Sequence, residues 1–108
     1  MIDALRQEKA RYEILYDAVR NVANKIKQAS YNLDGAVNNI RENYSVNEEA
    51  YDKGKIKITK DRLDSKASEL TGSIMPMISS KISQIDAEIK RLEEEERRAL
   101  EEMLNMKN

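Results

Sequence analysis

Apolar residues recur along the first forty residues at spacings of three and four, which return side chains to one face of an α-helix. From Tyr12 to Ile40 the steps are 3, 4, 3, 4, 3, 4, 4 and 3, a heptad repeat with one additional step of four. Gly35 is the weak point of this stretch, and it fits a tolerated glycine, a kink or a close approach by another backbone. The pattern predicts a first helix over about residues 2–43, with a seam of Tyr12, Leu15, Val19, Val22, Ile26, Ala29, Leu33, Val37 and Ile40.

A second pattern of the same kind begins at Leu63, and its steps are 4, 3, 4, 4, 4, 3, 4 and 3. The irregular part includes Pro76, and a proline removes one backbone donor and clashes with the carbonyl four residues earlier. The pattern therefore predicts a second helix over about residues 57–106 that is kinked near Pro76. Its predicted seam contains Leu63, Ala67, Leu70, Ile74, Ile78, Ile82, Ile85, Ile89, Leu92, Ala99, Met103 and Met106.

Residues 44–54 are polar and rich in turn formers, so they are predicted to form the turn between the two helices. The segment 53–62, with five basic residues and one acidic, is predicted to be a charged loop at this tip. Two long helices and one turn predict an all-α fold, an antiparallel two-helix hairpin that resembles a coiled coil and forms a single domain over 1–108. In this register Ile2 faces Glu96, and the last ten or so residues extend beyond the first helix.

The charge balance argues against a nucleic-acid-binding protein. The 108 residues include 19 basic and 20 acidic side chains, whereas nucleic-acid binding needs a basic excess or stripe. No window approaches the roughly 20 apolar residues of a membrane span. The first residues also lack the basic and then apolar order of a cleaved signal peptide. The protein is therefore expected in the cytoplasm, or exported by a route that uses no cleaved signal peptide.

The composition also argues against catalysis. The sequence has no His and no Cys, which removes the commonest general base, the thiol nucleophile, and the imidazole and thiolate metal ligands. The acidic run 93–96 has Arg91, Arg97 and Arg98 adjacent to it and is predicted to be a solvated helix face with intrahelical ion pairs. The sequence therefore predicts a protein that is not an enzyme and that holds no cofactor or metal.

The apolar stripes are wider than the seam of a two-helix coiled coil. Tyr16, Ala23 and Ala36 widen the first stripe, and Met75 and Met77 widen the second. Such width suits a bundle of three or four helices, although a normal two-helix core could also cover it. We therefore expect a helical partner, either another protein or a second copy. The residues predicted to pack against it are Tyr12, Tyr16, Val19, Ile74, Met77, Ile78 and Ile82.

A length near 100 residues, two long helices, a polar central turn and no signal peptide resemble the small helical-hairpin proteins of bacterial type VII secretion. These include the Trp-Xaa-Gly superfamily and the partners of LXG toxins. The sequence has no Trp, and residues 51–54 occupy the place of the Trp-Xaa-Gly turn. Residues 44–48 fit the Tyr-Xaa-Xaa-Xaa-Asp/Glu export pattern, although in the family this pattern normally follows the hairpin. The chain is thus most similar to those toxin partners that themselves lack the Trp.

The resemblance implies a targeting factor or chaperone that forms a bundle with the N-terminal helices of a secreted toxin such as an LXG toxin. It also implies an exposed tip that the secretion machinery reads, which we assign to Tyr44, Glu48 and Tyr51. A second interpretation is a structural or chaperone coiled coil of the flagellar, type III or prefoldin-like kind, which forms homo-oligomers. These two interpretations differ in whether the chain depends on a different protein.

Overall fold

The computed structural model describes residues 1–43 and 46–107, and their side chains except at positions 38, 40–43, 46–52 and 107. Three α-helices make up almost all of the described chain: α1 (Ile2–Asn43), α2 (Val46–Glu69) and α3 (Met75–Lys107). A five-residue π-helical turn, Leu70–Ile74, lies between α2 and α3. The described residues contain no strand, which confirms the predicted all-α class.

The chain divides into two compact units, and the first consists of Met1–Asp17 and Met77–Asn108. Within it the start of α1 lies beside α3. Arg6 donates a hydrogen bond of 2.8 Å to Glu93, and the Lys9 ammonium lies 2.8 Å from Asp86. Residue numbers rise on α1 as they fall on α3, so the two segments are antiparallel. Ile2 and Glu96 line one surface depression of about 300 Å³, which agrees with the predicted register.

The second unit is Ala18–Pro76, in which the rest of α1 lies beside α2. Ser30 Oγ donates a hydrogen bond of 2.6 Å to Asp64 Oδ1, and Lys60 Nζ donates one of 2.8 Å to Asp34 Oδ1. These contacts again connect rising numbers on one helix to falling numbers on the other. This unit is therefore also an antiparallel helix pair.

The seam predicted for the second helix is confirmed from Leu63 to Leu92, where each of its residues is buried or half-buried. Beyond Leu92 the predicted seam residues Ala99, Met103 and Met106 are exposed. No part of the described chain covers that end of α3. The buried apolar residues are Ala23, Ala67, Met75, Ile78, Ile85 and Ile89.

The seam predicted for α1 is confirmed in part: five of its residues are half-buried and three are exposed. The half-buried residues are Tyr12, Val19, Ile26, Leu33 and Val37, and the exposed ones are Leu15, Val22 and Ala29. Leu15 and Val22, predicted inside, are 46% and 49% exposed, whereas Ala23 is 0% and Ser30 3% exposed. Two columns of residues flank Tyr12 and its heptad equivalents on α1. The predicted seam follows the column 15, 22 and 29, whereas the helix buries Ala23 and Ser30 of the other column, where the prediction had Ala23 only widening the stripe. Because Ser30 is polar, its residue type does not predict a core position. Its hydrogen bond to Asp64 satisfies the buried hydroxyl.

The turn predicted over 44–54 is wrong for most of its length, because α2 already begins at Val46. Residues 44 and 45 lie outside the described residues. Glu48, Glu49, Ala50 and Lys53 of this stretch are good helix formers, and the polarity of the stretch fits an exposed helix as well as a loop. Gly54 lies within the helix and has no positive φ. The segment 53–62 is accordingly helix rather than loop.

The π-helical turn falls where the predicted seam is irregular. The Met75 N–H donates to the Leu70 carbonyl, five residues back instead of four, and Thr71 Oγ1 donates to the Ala67 carbonyl at 3.0 Å. Ala67 and Met75 are both buried although eight residues separate them, and an α-helix returns to the same face after about seven. The wider π turn absorbs the additional residue. A kink near Pro76 stays a prediction.

Candidate interaction surfaces

The residues predicted to bind a partner differ in how much surface they expose. Ile78 is only 7% exposed, because its own unit already buries it. Met77, its neighbour on α3, is 69% exposed and has most of its side chain available. The other five are half-buried: Tyr12, Tyr16, Val19, Ile74 and Ile82. Their contact with a partner stays a prediction, and Met77 is the member with the most surface to offer.

The residues predicted for the exposed tip fall largely outside the described part of the molecule. Tyr44 is not among the described residues. Glu48 and Tyr51 belong to α2, and their side chains are not described. The export role assigned to these three residues therefore stays a prediction.

Apolar side chains on α1 remain exposed beside the packed seam. In the first unit these are Ile14, at 70%, and Leu15. In the second unit Ala18, Val22 and Ala29 are exposed, and we call these three residues the outer α1 face. Their spacings of four and seven place them along one side of the helix. The small size of both alanines lets another helix approach this side closely.

The last turns of α3 expose a longer apolar stripe. Leu100, Met103 and Leu104 are 58%, 57% and 55% exposed. Spacings of three and four place this stripe on one side of α3, so the segment is amphipathic. We call the set the α3 end face, and its members are Ala99, Leu100, Met103, Leu104 and Met106. The sequence placed Ala99, Met103 and Met106 in the seam but among the last residues, which were expected to extend beyond the first helix, and all five members are exposed.

The intrahelical ion pairs predicted for the acidic run 93–96 are confirmed for Glu94 and Glu95, whereas Glu93 pairs with Arg6 on α1. Arg91 binds Glu88 and Glu95 on its own helix, and the hydrogen bond from Arg91 lowers the pKa of Glu88. Arg97 in the same way binds Glu94 and lowers its pKa. Since these carboxylates pair with arginine, they offer little to a cation. No three potential metal ligands come together among the described side chains.

A groove of about 410 Å³ lies between α1 and α2 in the second unit. Its apolar lining residues are Val37 and Ile56, and we call it the α1–α2 groove. Lys60 hydrogen-bonds Asp34 at its edge, which raises the pKa of Lys60. The groove is within the size of pockets that hold small ligands, about 300–1,000 Å³. Its charged lining residues are Asp34, Lys53, Lys57, Lys60, Asp61 and Asp64.

Sequence reasoning missed this groove because it treated residues 53–62 as a loop. The sequence signal that could have predicted the groove was the spacing of four charged residues, which places them on one side of a helix. These residues are Lys53, Lys57, Lys60 and Asp64.

No family model matches this sequence, and neither a curated protein nor a solved structure matches it. In the part of the chain that the structure describes, every helix is too polar or too short in its apolar stretches to cross a bilayer.

Proposed function

We propose that this protein is a non-enzymatic helical binding partner that completes a bundle with the helices of a second protein. The observation that carries the proposal is the outer α1 face, which stays exposed while the adjoining Ala23 and Ser30 are buried. A helix that is packed on one side and apolar on the next is typical of a bundle member. Covering such a face contributes about 25 cal/mol for each Å² of apolar area.

The proposal takes the whole chain as one antiparallel two-helix hairpin that resembles a coiled coil, with its second helix kinked near Pro76. The antiparallel pairing within each unit supports the hairpin. The π-helical turn Leu70–Ile74 supports an irregularity next to the proline. In this form the chain acts as a strut against which partner helices align.

The partner that we propose is the helical N-terminal domain of a secreted toxin, such as an LXG toxin of type VII secretion. The chain would then be a targeting factor or chaperone for that toxin. The length, the long helices and the Tyr-Xaa-Xaa-Xaa-Glu pattern at 44–48 support this choice. The second interpretation, a structural coiled coil that forms homo-oligomers, is favoured by the open α3 end face.

An affinity pull-down of the tagged full chain from the cells that encode it, followed by light scattering, tests the proposal. We expect one secreted protein with a helical N-terminal domain in a fixed ratio, and we expect the purified domain to bind the chain in calorimetry. Val22→Glu should weaken that binding at least about tenfold, because it places a charge in the apolar contact. Asn24→Glu adds the same charge elsewhere on α1 and should leave binding unchanged.

Circular dichroism should show equal helix content for both variants, because Val22 and Asn24 are both exposed. Recovery of the chain with no second protein would contradict the toxin-partner function, whatever the number of copies. Equal binding by Val22→Glu and Asn24→Glu would contradict the outer α1 face as the contact.

The export role of the tip has a separate test. Tyr44→Ala combined with Glu48→Ala should block export of the toxin, measured by immunoblotting of culture medium, while the purified complex still forms. Tyr31→Ala with Glu69→Ala makes comparable substitutions outside the tip and should leave export intact. Unchanged export by the tip variant would exclude this signal.

A further inference from the structure

The α3 end face has a defined order of charges beside its apolar stripe. The cations Arg97 and Arg98 come first, and the anions Glu101 and Glu102 follow one turn later. The positive part of the segment is therefore nearer the start of α3, and the negative part is nearer its end. A surface that binds this segment should present the opposite order to it.

The α1–α2 groove carries the same kind of order along α2. Its lining cations Lys53 and Lys57 come first, and the anions Asp61 and Asp64 follow. Two helices that both run from positive to negative bring opposite charges together when they lie antiparallel. The antiparallel direction also aligns the helix dipoles favourably.

The spacing of the two sets of charges matches as well. Arg98 and Glu102 are four residues apart, as are Lys57 and Asp61, and four residues rise by about 6 Å along a helix. An antiparallel alignment that places Glu102 opposite Lys57 also places Arg98 opposite Asp61. The same alignment brings Met103 over Ile56, an apolar lining residue of the groove. This register forms two charge pairs and one apolar contact, and it also places Glu95, which Arg91 binds, opposite Asp64.

We propose that the α3 end face binds the α1–α2 groove of a second copy of this chain. An amphipathic helix lying in a groove between two helices is a common mode of recognition, and methionine adapts well to such a groove. Both surfaces belong to every copy, so two copies that exchange end faces form a closed dimer, and copies that do not exchange them join head-to-tail into a ring or an open chain. This self-association is separate from the toxin contact on the outer α1 face.

The first test is the mass of the purified full chain, measured by light scattering and sedimentation from about 10 µM to 1 mM. We expect the mass to rise with concentration above the 12.5 kDa of one copy. Higher salt should weaken association, because the charge pairs are exposed and screened. A mass of one copy at every concentration would overturn the proposal.

Charge reversal tests the register. Glu102→Lys and Lys57→Glu should each weaken association about tenfold, because each places like charges opposite one another. A mixture of the two variants should associate again, since Lys at 102 of one copy then faces Glu at 57 of the other. The double variant should associate on its own for the same reason. Lys25→Glu reverses a charge elsewhere on α1 and should associate like the unmodified chain.

Met103→Ser tests the apolar contact without a change of charge, and it should also weaken association. Met103 is 57% exposed, so the fold should survive, with unchanged helix content by circular dichroism. Association that Glu102→Lys, Lys57→Glu and Met103→Ser all leave intact would overturn the contact. Recovery in the mixture but not in either variant alone would show that position 102 of one copy contacts position 57 of another.

Discussion

Ser30 shows how one polar residue can hold a core position between helices. It is 3% exposed and donates a hydrogen bond of 2.6 Å to Asp64, which is itself exposed. The hydroxyl therefore loses water but not its hydrogen bond. Because a hydrogen bond needs one alignment of the two helices, Ser30 favours the observed pairing of α1 with α2 over a slipped one.

Removing this hydrogen bond should measurably destabilise the chain. We expect Ser30→Ala to lower the free energy of unfolding by about 1 kcal/mol, the usual net value of one hydrogen bond. Urea unfolding followed by circular dichroism measures it. Asp64→Asn keeps an acceptor oxygen and should cost less. A Ser30→Ala chain as stable as the unmodified one would exclude a contribution from this contact.

Ile85 is one of the best-packed apolar residues, with 5% of its surface exposed. Ile85→Ala should cost about 2–4 kcal/mol, because it removes buried apolar groups and leaves a cavity. Leu100→Ala is the matched control, since Leu100 is 58% exposed on the same helix and should change stability by less than about 0.5 kcal/mol. Equal losses in urea unfolding would contradict the burial seen in the first unit.

At the scale of elements, α1 reaches its full length because the helix tolerates Gly35 in its interior. No described atom lies within 4 Å of the Cβ that an alanine would add there. The sequence left open a close approach by another backbone, and the described residues make no such approach. Glycine is destabilising in a helix relative to alanine, through its greater freedom in the unfolded chain.

Gly35→Ala should therefore stabilise the chain by about 0.5–1 kcal/mol. Thermal unfolding by circular dichroism should show a higher midpoint. Gly72→Ala, in the π-helical turn, also has open space at its Cβ and provides a second position with the same expectation. A lower midpoint for Gly35→Ala would mean that α1 needs the glycine there.

The junction between α2 and α3 is the second feature at this scale. Three successive seam positions after Leu70 are each four residues apart, whereas a heptad repeat alternates steps of three and four. One π-helical turn accommodates the additional residue. Pro76 follows within two residues of that turn. The proline and the seam irregularity together marked this place in the sequence, but a break, a kink and a π turn all fit the same pattern. Only the Met75 to Leu70 hydrogen bond distinguishes the π turn.

For the molecule as a whole, exposed ion pairs make a small contribution to the pH dependence of stability, because solvent screens them. Hydrogen bonds from Arg91 and Arg97 lower the pKa of Glu88 and Glu94 below their ordinary 4.5. Their contribution is present above that value and is lost as pH falls through the lowered pKa. Hydrogen bonds to Asp86 and Asp34 raise the pKa of Lys9 and Lys60 above 10.5. That contribution is present below 10.5 and is lost as pH rises through the raised pKa.

We therefore expect the thermal midpoint to be nearly constant between about pH 5 and pH 10 and to fall on both sides. Circular dichroism melts across this range measure it. Arg91→Gln should reduce the fall on the acid side, because Glu88 then titrates near its ordinary pKa. A midpoint that rises below pH 4 would contradict the sign of these shifts.

Periodicity by itself determined that the chain is helical and which side of the second helix is buried from Leu63 to Leu92. Both depend only on the spacing of apolar residues along the sequence. The tertiary structure decided which of two adjoining columns of α1 is buried. Both columns have helical spacing, and the choice depends on the rotation of α1 against the helix beside it. Contacts between residues far apart in sequence, such as Ser30 with Asp64, set that rotation.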